Sequence, residues 1–99
     1  MAIVMVMDVP GGTLEQYEQV NETLGIAGSE TAPAGLVGHV CAKTEDGVLI
    51  VDVWESEQAL HAFFETGGLG AALKQAGVPA VQPRIYPVHN GLRGRDYAA

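Results

Sequence analysis

The sequence predicts an α+β domain in which two helical regions cover one side of a four-stranded antiparallel sheet. An apolar strand-like segment opens the chain and another lies near its end, and a capped helix, a hairpin and a second helical region lie between them. The resulting order β-α-β-β-α-β is the ferredoxin-like arrangement. Because crossover connections are right-handed, both helical regions are expected on the same side of the sheet.

Length, charge and composition exclude several classes of protein. The 99 residues have the size of one domain, and we expect residues 1–90 to form it and residues 91–99 to be a C-terminal tail. The net charge of −7 would repel a phosphate backbone, so no nucleic-acid partner is expected. The first apolar run lacks a basic leader and is too short to span a bilayer, which predicts a cytoplasmic protein without a membrane partner.

The first quarter of the chain predicts a central strand followed by a helix. Residues 2–9 are apolar at both alternating positions, which is typical of a strand inside a sheet. Thr13 and Gln16 have the spacing of a capping box, and Gly25 is a plausible helix stop. We expect residues 26–35 to be a loop of small residues. The helix between them carries an apolar stripe of Leu14, Tyr17, Val20 and Leu24.

A β-hairpin is predicted where Asp46-Gly47 separates two apolar runs. Asp-Gly is the typical sequence of a type I′ turn, which needs positive φ at both central residues. This turn would place His39 opposite Trp54 and diagonal to Asp52. Side chains then alternate between two faces of the hairpin.

The two faces of the hairpin differ in polarity. One is wholly apolar and is expected to lie under the helices. The other combines an apolar floor with an imidazole, a carboxylate and an indole, which suits a small-molecule pocket. The apolar face consists of Leu36, Gly38, Val40, Ala42, Leu49, Val51 and Val53, and the mixed face of Val37, His39, Cys41, Lys43, Ile50, Asp52 and Trp54.

The last part of the chain predicts two short helices and an edge strand. Ser56 can cap the second helix of the chain, which Gly67-Gly68 interrupts. A third helix follows and ends at Gly77. A final strand is expected at residues 82–89, where two prolines remove hydrogen-bond donors and so favour the sheet edge.

One apolar sheet face would remain bare in a single chain. We expect this face to include the mixed face of the hairpin. A bare apolar patch of that size is unfavourable in a monomer, which predicts a homodimer. The pocket would then lie either between the sheet and the partner or between the sheet and the helices.

Two segments resemble a known family. The run VDVWESEQALHAFF at residues 51–64 and the closing RIYPVHN at residues 84–90 resemble the antibiotic-biosynthesis-monooxygenase-like family of dimeric α+β barrels, in particular its small, mostly uncharacterised actinobacterial members. Trp54 matches the tryptophan that ends the third strand of the quinone-forming oxygenases, whereas Ile50 replaces their substrate-binding asparagine.

The resemblance implies a function as well as a fold. The implied function is a cofactor-independent enzyme acting on an aromatic or polyketide-like small molecule, with monooxygenation as the leading reaction. Two alternatives stay open: a polyketide cyclase or isomerase that uses a histidine for general acid–base catalysis, and a non-catalytic ligand-binding or stress-associated dimer.

His39 and Asp52 are the predicted catalytic residues. An imidazole on the pocket face can act as general base or acid, and a nearby carboxylate can select its tautomer. The alternative is a structural pair beneath an interface.

The remaining candidates are predicted to bind substrate. Trp54 offers a stacking surface, and Tyr86 and Arg84 share one face of the last strand, where they could bind an acidic or phenolic group. A metal would need three or four ligands, and the sequence brings together only two, so no metal is expected. The absence of a phosphate-binding glycine loop likewise predicts no nucleotide or flavin cofactor. The full substrate-binding set is Trp54, Ile50, Val37, Cys41, Tyr86 and Arg84.

Overall fold

The structure, a computed structural model, describes residues 1–92 and 94. Four strands form one antiparallel sheet in the order β2-β3-β1-β4, which confirms the ferredoxin-like α+β fold, the central first strand and the edge position of the last. Position 93 and positions 95–99 of the predicted tail lie outside the described residues. The elements are β1 (Ile3–Pro10), α1 (Leu14–Leu24), a 3₁₀ turn (Ser29–Thr31), β2 (Leu36–Lys43), β3 (Gly47–Trp54), α2 (Glu57–Glu65), α3 (Leu69–Gln75) and β4 (Arg84–Pro87).

Local side-chain chemistry determines where α1 begins and ends. The Thr13 hydroxyl accepts from the Gln16 backbone N–H at 3.0 Å, and the Gln16 side chain accepts from the Thr13 backbone N–H at 3.0 Å. Gly25 then adopts the left-handed conformation, with φ of 73°, and ends the helix. At α2, the Ser56 hydroxyl accepts from the Ala59 N–H at 3.1 Å. The predicted caps are therefore confirmed.

The hairpin turn lies one residue earlier than predicted. Thr44 donates its backbone N–H to the Gly47 carbonyl at 2.9 Å, and its hydroxyl accepts from the Gly47 N–H at 2.9 Å. The two turn residues are therefore Glu45 and Asp46. Neither has a positive φ, so the predicted type I′ turn is wrong.

Gly47 is required for a reason other than turn conformation. A Cβ atom at this position would overlap the Val9 carbonyl oxygen. The neighbouring backbone is equally close, because Gly11 donates its N–H to the Asp46 carbonyl at 2.8 Å. Glycine here allows the end of β1 to approach the start of β3.

The earlier turn changes the partners across the hairpin. His39 lies opposite Asp52, not opposite Trp54, and Cys41 lies opposite Ile50. Because the register changes by two positions, the residues around His39 keep the predicted face.

An irregularity at the start of β2 changes the predicted orientation of the side chains there. The register shifts between Leu36 and Gly38, and Leu36 lies opposite Trp54. Leu36 packs against the core, whereas Val37 is 66% exposed. An extra residue in one strand reverses the alternation beyond it, which explains why Val37 is not on the pocket face.

The helices cover the mixed face of the sheet, and the expectation that they cover the wholly apolar face is wrong. The buried cluster contains Met5, Ile50 and Trp54 from the sheet and Leu60 from α2, with Tyr17 of α1 packed against it. The handedness of the two crossovers selects the covered face. The opposite face, here called the open face, includes Val4, Val6, Asp8, Gly38, Val40, Ala42, Leu49, Val51, Val53, Arg84 and Tyr86.

Among the described residues, no helix has the length and hydropathy that a membrane span requires. The cytoplasmic location stays a prediction.

Candidate active site

Four side chains on the covered face form one continuous series of hydrogen bonds, here called the polar chain: Tyr17, His39, Asp52 and Trp54. The Tyr17 hydroxyl lies 2.6 Å from His39 Nε2. His39 Nδ1 lies 2.5 Å from Asp52 Oδ1. Trp54 Nε1 donates to the other carboxylate oxygen, Asp52 Oδ2, at 3.2 Å. The chain therefore links α1 to β2 and β3.

Strand pairing and helix packing position these groups. His39 and Asp52 are direct cross-strand partners, and Trp54 follows Asp52 by two residues on the same face. Tyr17 reaches them from the first turns of α1. Its ring plane is within 4° of parallel to the His39 ring, with the ring centroids 5.8 Å apart.

The polar chain satisfies a buried carboxylate. Asp52 is 7% exposed, and each of its oxygens has a nitrogen partner. The indole can only donate, so an ionised Asp52 accepts from Trp54 and from the Nδ1–H of His39. In neutral His39, Nε2 is then the acceptor for the Tyr17 hydroxyl. Asp52 thereby selects the tautomer of His39 whose basic nitrogen faces Tyr17.

Burial affects the ionisation of Tyr17. Removal from water disfavours the phenolate and raises the pKa of Tyr17 above its ordinary value of 10.0, and a hydrogen bond with the Asn21 side chain offsets part of this increase. At neutral pH, Tyr17 is a protonated phenol that donates to His39.

A cavity of about 130 Å³ lies between the sheet and the helices. All four members of the polar chain line it. In another protein, an apolar cavity of about 150 Å³ holds benzene, so this cavity has room for about one aromatic ring. Its other lining is mainly apolar and includes Met5, Met7, Val20, Leu36, Ile50, Phe63, Leu69 and Leu73.

Four of the predicted site residues come together at this cavity: His39, Asp52, Trp54 and Ile50. Trp54 is only 1% exposed and packs against Phe63, with ring centroids 5.5 Å apart. Little of the indole is thus free for the stacking that its sequence position suggested. Its N–H instead contributes to the site by donating to Asp52.

Cys41 lies beside the site and packs against the core cluster. Burial raises the pKa of its thiol above 9.0, and the carboxylate of Glu18 raises it further. A thiol in this environment remains protonated at neutral pH, which makes it a poor nucleophile.

Besides Cys41, three predicted substrate-binding residues do not line the cavity. Val37 points to solvent. Tyr86 and Arg84 lie on the open face, where they pair with Val4 and Val6 of β1. The single chain therefore does not bring them together with His39.

Tyr17 was not among the site residues predicted from the sequence. It appeared only as a member of the apolar stripe of α1. The hydroxyl of a tyrosine on such a stripe needs a polar partner, and that requirement was the available signal. Among residues 1–92 and 94, the structure has no cluster of three His, Cys, Asp or Glu side chains suited to a metal ion.

The fold is shared with structures of antibiotic biosynthesis monooxygenases. No family model and no curated protein matches the sequence. Similarity to solved structures nevertheless extends over nearly the whole chain, and this confirms at the level of fold the resemblance noted for residues 51–64 and 84–90.

Three of these structures illustrate the range of similarity. A candidate antibiotic biosynthesis monooxygenase from Deinococcus radiodurans has a TM-score of 0.61 and 19% identity, covering 94% of this chain and 97% of that one. SnoaB, a cofactor-independent oxygenase from Streptomyces nogalater, has a TM-score of 0.59 and 12% identity over 94% and 95%. The monooxygenase ActVA-Orf6 of Streptomyces coelicolor, in complex with nanaomycin D, has a TM-score of 0.52 and 23% identity over 94% and 92%.

Proposed function

We propose that this chain is a cofactor-independent enzyme that removes a proton from an aromatic or polyketide-like small molecule and so starts its oxygenation. The observation that carries the proposal is the His39–Asp52 pair at the wall of an apolar cavity, with 2.5 Å between Nδ1 and Oδ1. In this arrangement His39 is the proton acceptor. Asp52 is its orienting partner.

The buried carboxylate of Asp52 is positioned to accept a hydrogen bond from His39 Nδ1. When the imidazole gains a proton, the positive charge lies directly against the ionised Asp52. A charge-assisted hydrogen bond in such a site is about twice as strong as a neutral one. The side chain of His39 remains 31% exposed, so it is not sealed from the cavity and its surroundings.

Deprotonation makes an aromatic substrate electron-rich enough to react with molecular oxygen. The anion transfers one electron to O₂, the two radicals combine, and the resulting peroxide loses water. For a ring CH₂ group, the carbon loses two hydrogens and gains a carbonyl oxygen, and the second oxygen atom leaves as water. The substrate supplies the electrons for this sequence.

The structural comparisons support this reaction class at the level of fold. SnoaB is a cofactor-independent oxygenase, and ActVA-Orf6 is a monooxygenase whose structure contains nanaomycin D. Both are similar in fold to this chain, in which the cavity lies between sheet and helices.

Cyclisation or isomerisation is the second candidate function. The polar chain contains both a base, His39, and a hydroxyl donor, Tyr17, 2.6 Å apart. Such a pair can remove a proton at one atom and return one at another without oxygen. The same base therefore supports both candidates, and the need for oxygen separates them.

The test uses a panel of phenols, hydroquinones and polyketide-like enols with the full chain. Oxygen uptake with product formation supports the oxygenase, and product without oxygen uptake supports the cyclase or isomerase. Saturable binding without turnover of any compound contradicts both and supports the non-catalytic ligand-binding dimer.

Substitution of His39 tests its role. His39→Ala should lower kcat by about 10²–10⁴-fold, the usual contribution of general acid–base catalysis. Asp52→Asn should cost less, because the imidazole remains but loses its preferred tautomer. His61→Ala is the matched control, since the side chain of His61 is exposed on α2. Full activity of folded His39→Ala protein would contradict the assignment.

We also propose that two copies of the chain pair through the open face. Val40 is 48% exposed, and Val51 and Val53 are only half-buried. Light scattering at micromolar concentration should give twice the mass of one chain. Val51→Lys should give the mass of a single chain, because its ammonium group would lose water on burial among the valines of the interface. A monomeric parent protein would contradict the proposal.

A further inference from the structure

Tyr17 occupies the only free nitrogen of His39. Nδ1 is bonded to Asp52 and Nε2 is bonded to the Tyr17 hydroxyl at 2.6 Å. A substrate therefore cannot reach the basic nitrogen unless it displaces Tyr17 or exchanges its proton through Tyr17. The Tyr17 oxygen has a further lone pair that can accept a hydrogen bond.

We propose that Tyr17 is the residue that exchanges the proton with the substrate, and that the substrate is a single-ring phenol or hydroquinone whose hydroxyl binds at the Tyr17 oxygen. His39 stores the proton, and Asp52 balances its charge. This inference rests on the proposed function and names the substrate class and a further catalytic residue for it.

The proton transfer balances without a charged tyrosine. The O–H bond of the substrate breaks as its proton moves to the Tyr17 oxygen. The original Tyr17 proton moves at the same time to His39 Nε2. The products are a substrate anion and a His39 imidazolium, which keeps its hydrogen bond to Asp52. Tyr17 is a neutral phenol before and after the transfer.

This route agrees with the environment of Tyr17. Burial raises the pKa of Tyr17, so a mechanism that required a lasting phenolate at this position would be unfavourable. A coupled transfer avoids that state. The near-parallel Tyr17 and His39 rings also keep the hydroxyl close to Nε2.

The cavity determines the size of the proposed substrate. Its volume of about 130 Å³ suits one ring. The cavity adjoins a neighbouring cleft, and four residues line both: Leu24, Ile26, Pro33 and Phe63. The predominantly apolar lining favours an uncharged ring with one polar end.

The experiment uses 4-nitrophenol as the probe, because its phenol and phenolate forms have different absorbance. The ionisation midpoint of the bound probe is measured with the parent protein, Tyr17→Phe, His39→Ala and the control His61→Ala. With the parent and the control, the bound probe should ionise at lower pH than the free probe, since its proton moves to His39. Both Tyr17→Phe and His39→Ala should still bind the probe but lose this shift.

Tyr17→Phe keeps the ring that packs against the core, and thermal melting verifies that it folds. Retention of the shift in Tyr17→Phe would overturn the inference, because His39 would then contact the substrate directly. Absence of a shift or of binding with the parent protein would also overturn it.

Kinetics separate this inference from the proposed function. With a compound that the parent protein converts, Tyr17→Phe should lower kcat by about 10²–10⁴-fold and also raise KM, because the substrate hydroxyl loses its hydrogen-bond partner. An active Tyr17→Phe protein together with an inactive His39→Ala protein would contradict the role of Tyr17 and leave the proposed function intact. Loss of the proposed function itself would appear as a parent protein without turnover, while the probe titration still tests Tyr17.

Discussion

The two faces of the sheet differ in a way that composition does not predict. The covered face contains a histidine and a buried carboxylate, whereas the open face has valines along its centre. Of the two hairpin faces, the more polar one nevertheless lies beneath the helices. Chain connectivity therefore selects the covered face, and the polar side chains on that face must then find hydrogen-bond partners.

The covered face accommodates polar groups because they satisfy one another. Among the described residues, no buried side-chain nitrogen or oxygen lacks a hydrogen-bond partner. A buried carboxylate without partners would be strongly destabilising. Asp52 has two donors, so its burial is compatible with a stable fold. The open face has the opposite requirement, because its apolar groups need a covering surface.

The largest expected effect is a decrease in the free energy of unfolding, compared between two neighbouring residues on opposite faces. Trp54 is buried against the helices and Val53 is half-buried on the open face. Trp54→Ala should lower the free energy of unfolding by about 3–5 kcal/mol. Val53→Ala should lower it by about 1 kcal/mol in dilute protein, because less apolar area is lost. Denaturant unfolding measures both.

Protein concentration sharpens this first prediction. If the open face is a dimer interface, Val53→Ala should become more destabilising as concentration rises, whereas the effect of Trp54→Ala should change less. Equal decreases in the free energy of unfolding for both variants in dilute protein would show that the two faces are equally covered, which would contradict the proposed difference between them.

The local parts of the fold could be predicted from the sequence because their causes are local. The cap at Thr13 needs only Gln16, and the helix stop needs only Gly25. The prolines that flank the last strand likewise predicted its edge position. Each of these signals acts within a few residues, so no knowledge of the tertiary structure was needed.

The parts of the fold and site that the sequence did not predict depend on contacts between distant segments of the chain. Gly47 was attributed to a turn, but the approach of Val9 from another strand explains it. The irregularity beside Val37 moved that side chain to solvent. Tyr17 joins His39 only because α1 packs over β2. The prediction for His39 and Asp52 was partly correct. They share one face as predicted, but they lie directly opposite each other and not diagonally.

The smallest expected effect is a decrease in stability at alkaline pH that originates on the covered face. Burial raises the pKa values of Tyr17 and Cys41 above 10.0 and 9.0, so the folded chain retains protons that the unfolded chain releases. Their contribution is complete below about pH 9 and is lost as pH rises through the folded pKa values. Partial exposure of both groups keeps the effect small.

Urea unfolding between about pH 8 and 11, at one protein concentration, checks this prediction. Cys41→Val should flatten the lower part of the decrease and Tyr17→Phe the upper part, while His61→Ala should follow the parent protein. Each substitution removes one of the groups whose proton release differs between the folded and unfolded chains. If the curves for Tyr17→Phe and Cys41→Val stay parallel to the parent curve, burial on the covered face does not raise the pKa values of these two groups. The contrast between the two faces would then be one of apolar packing alone.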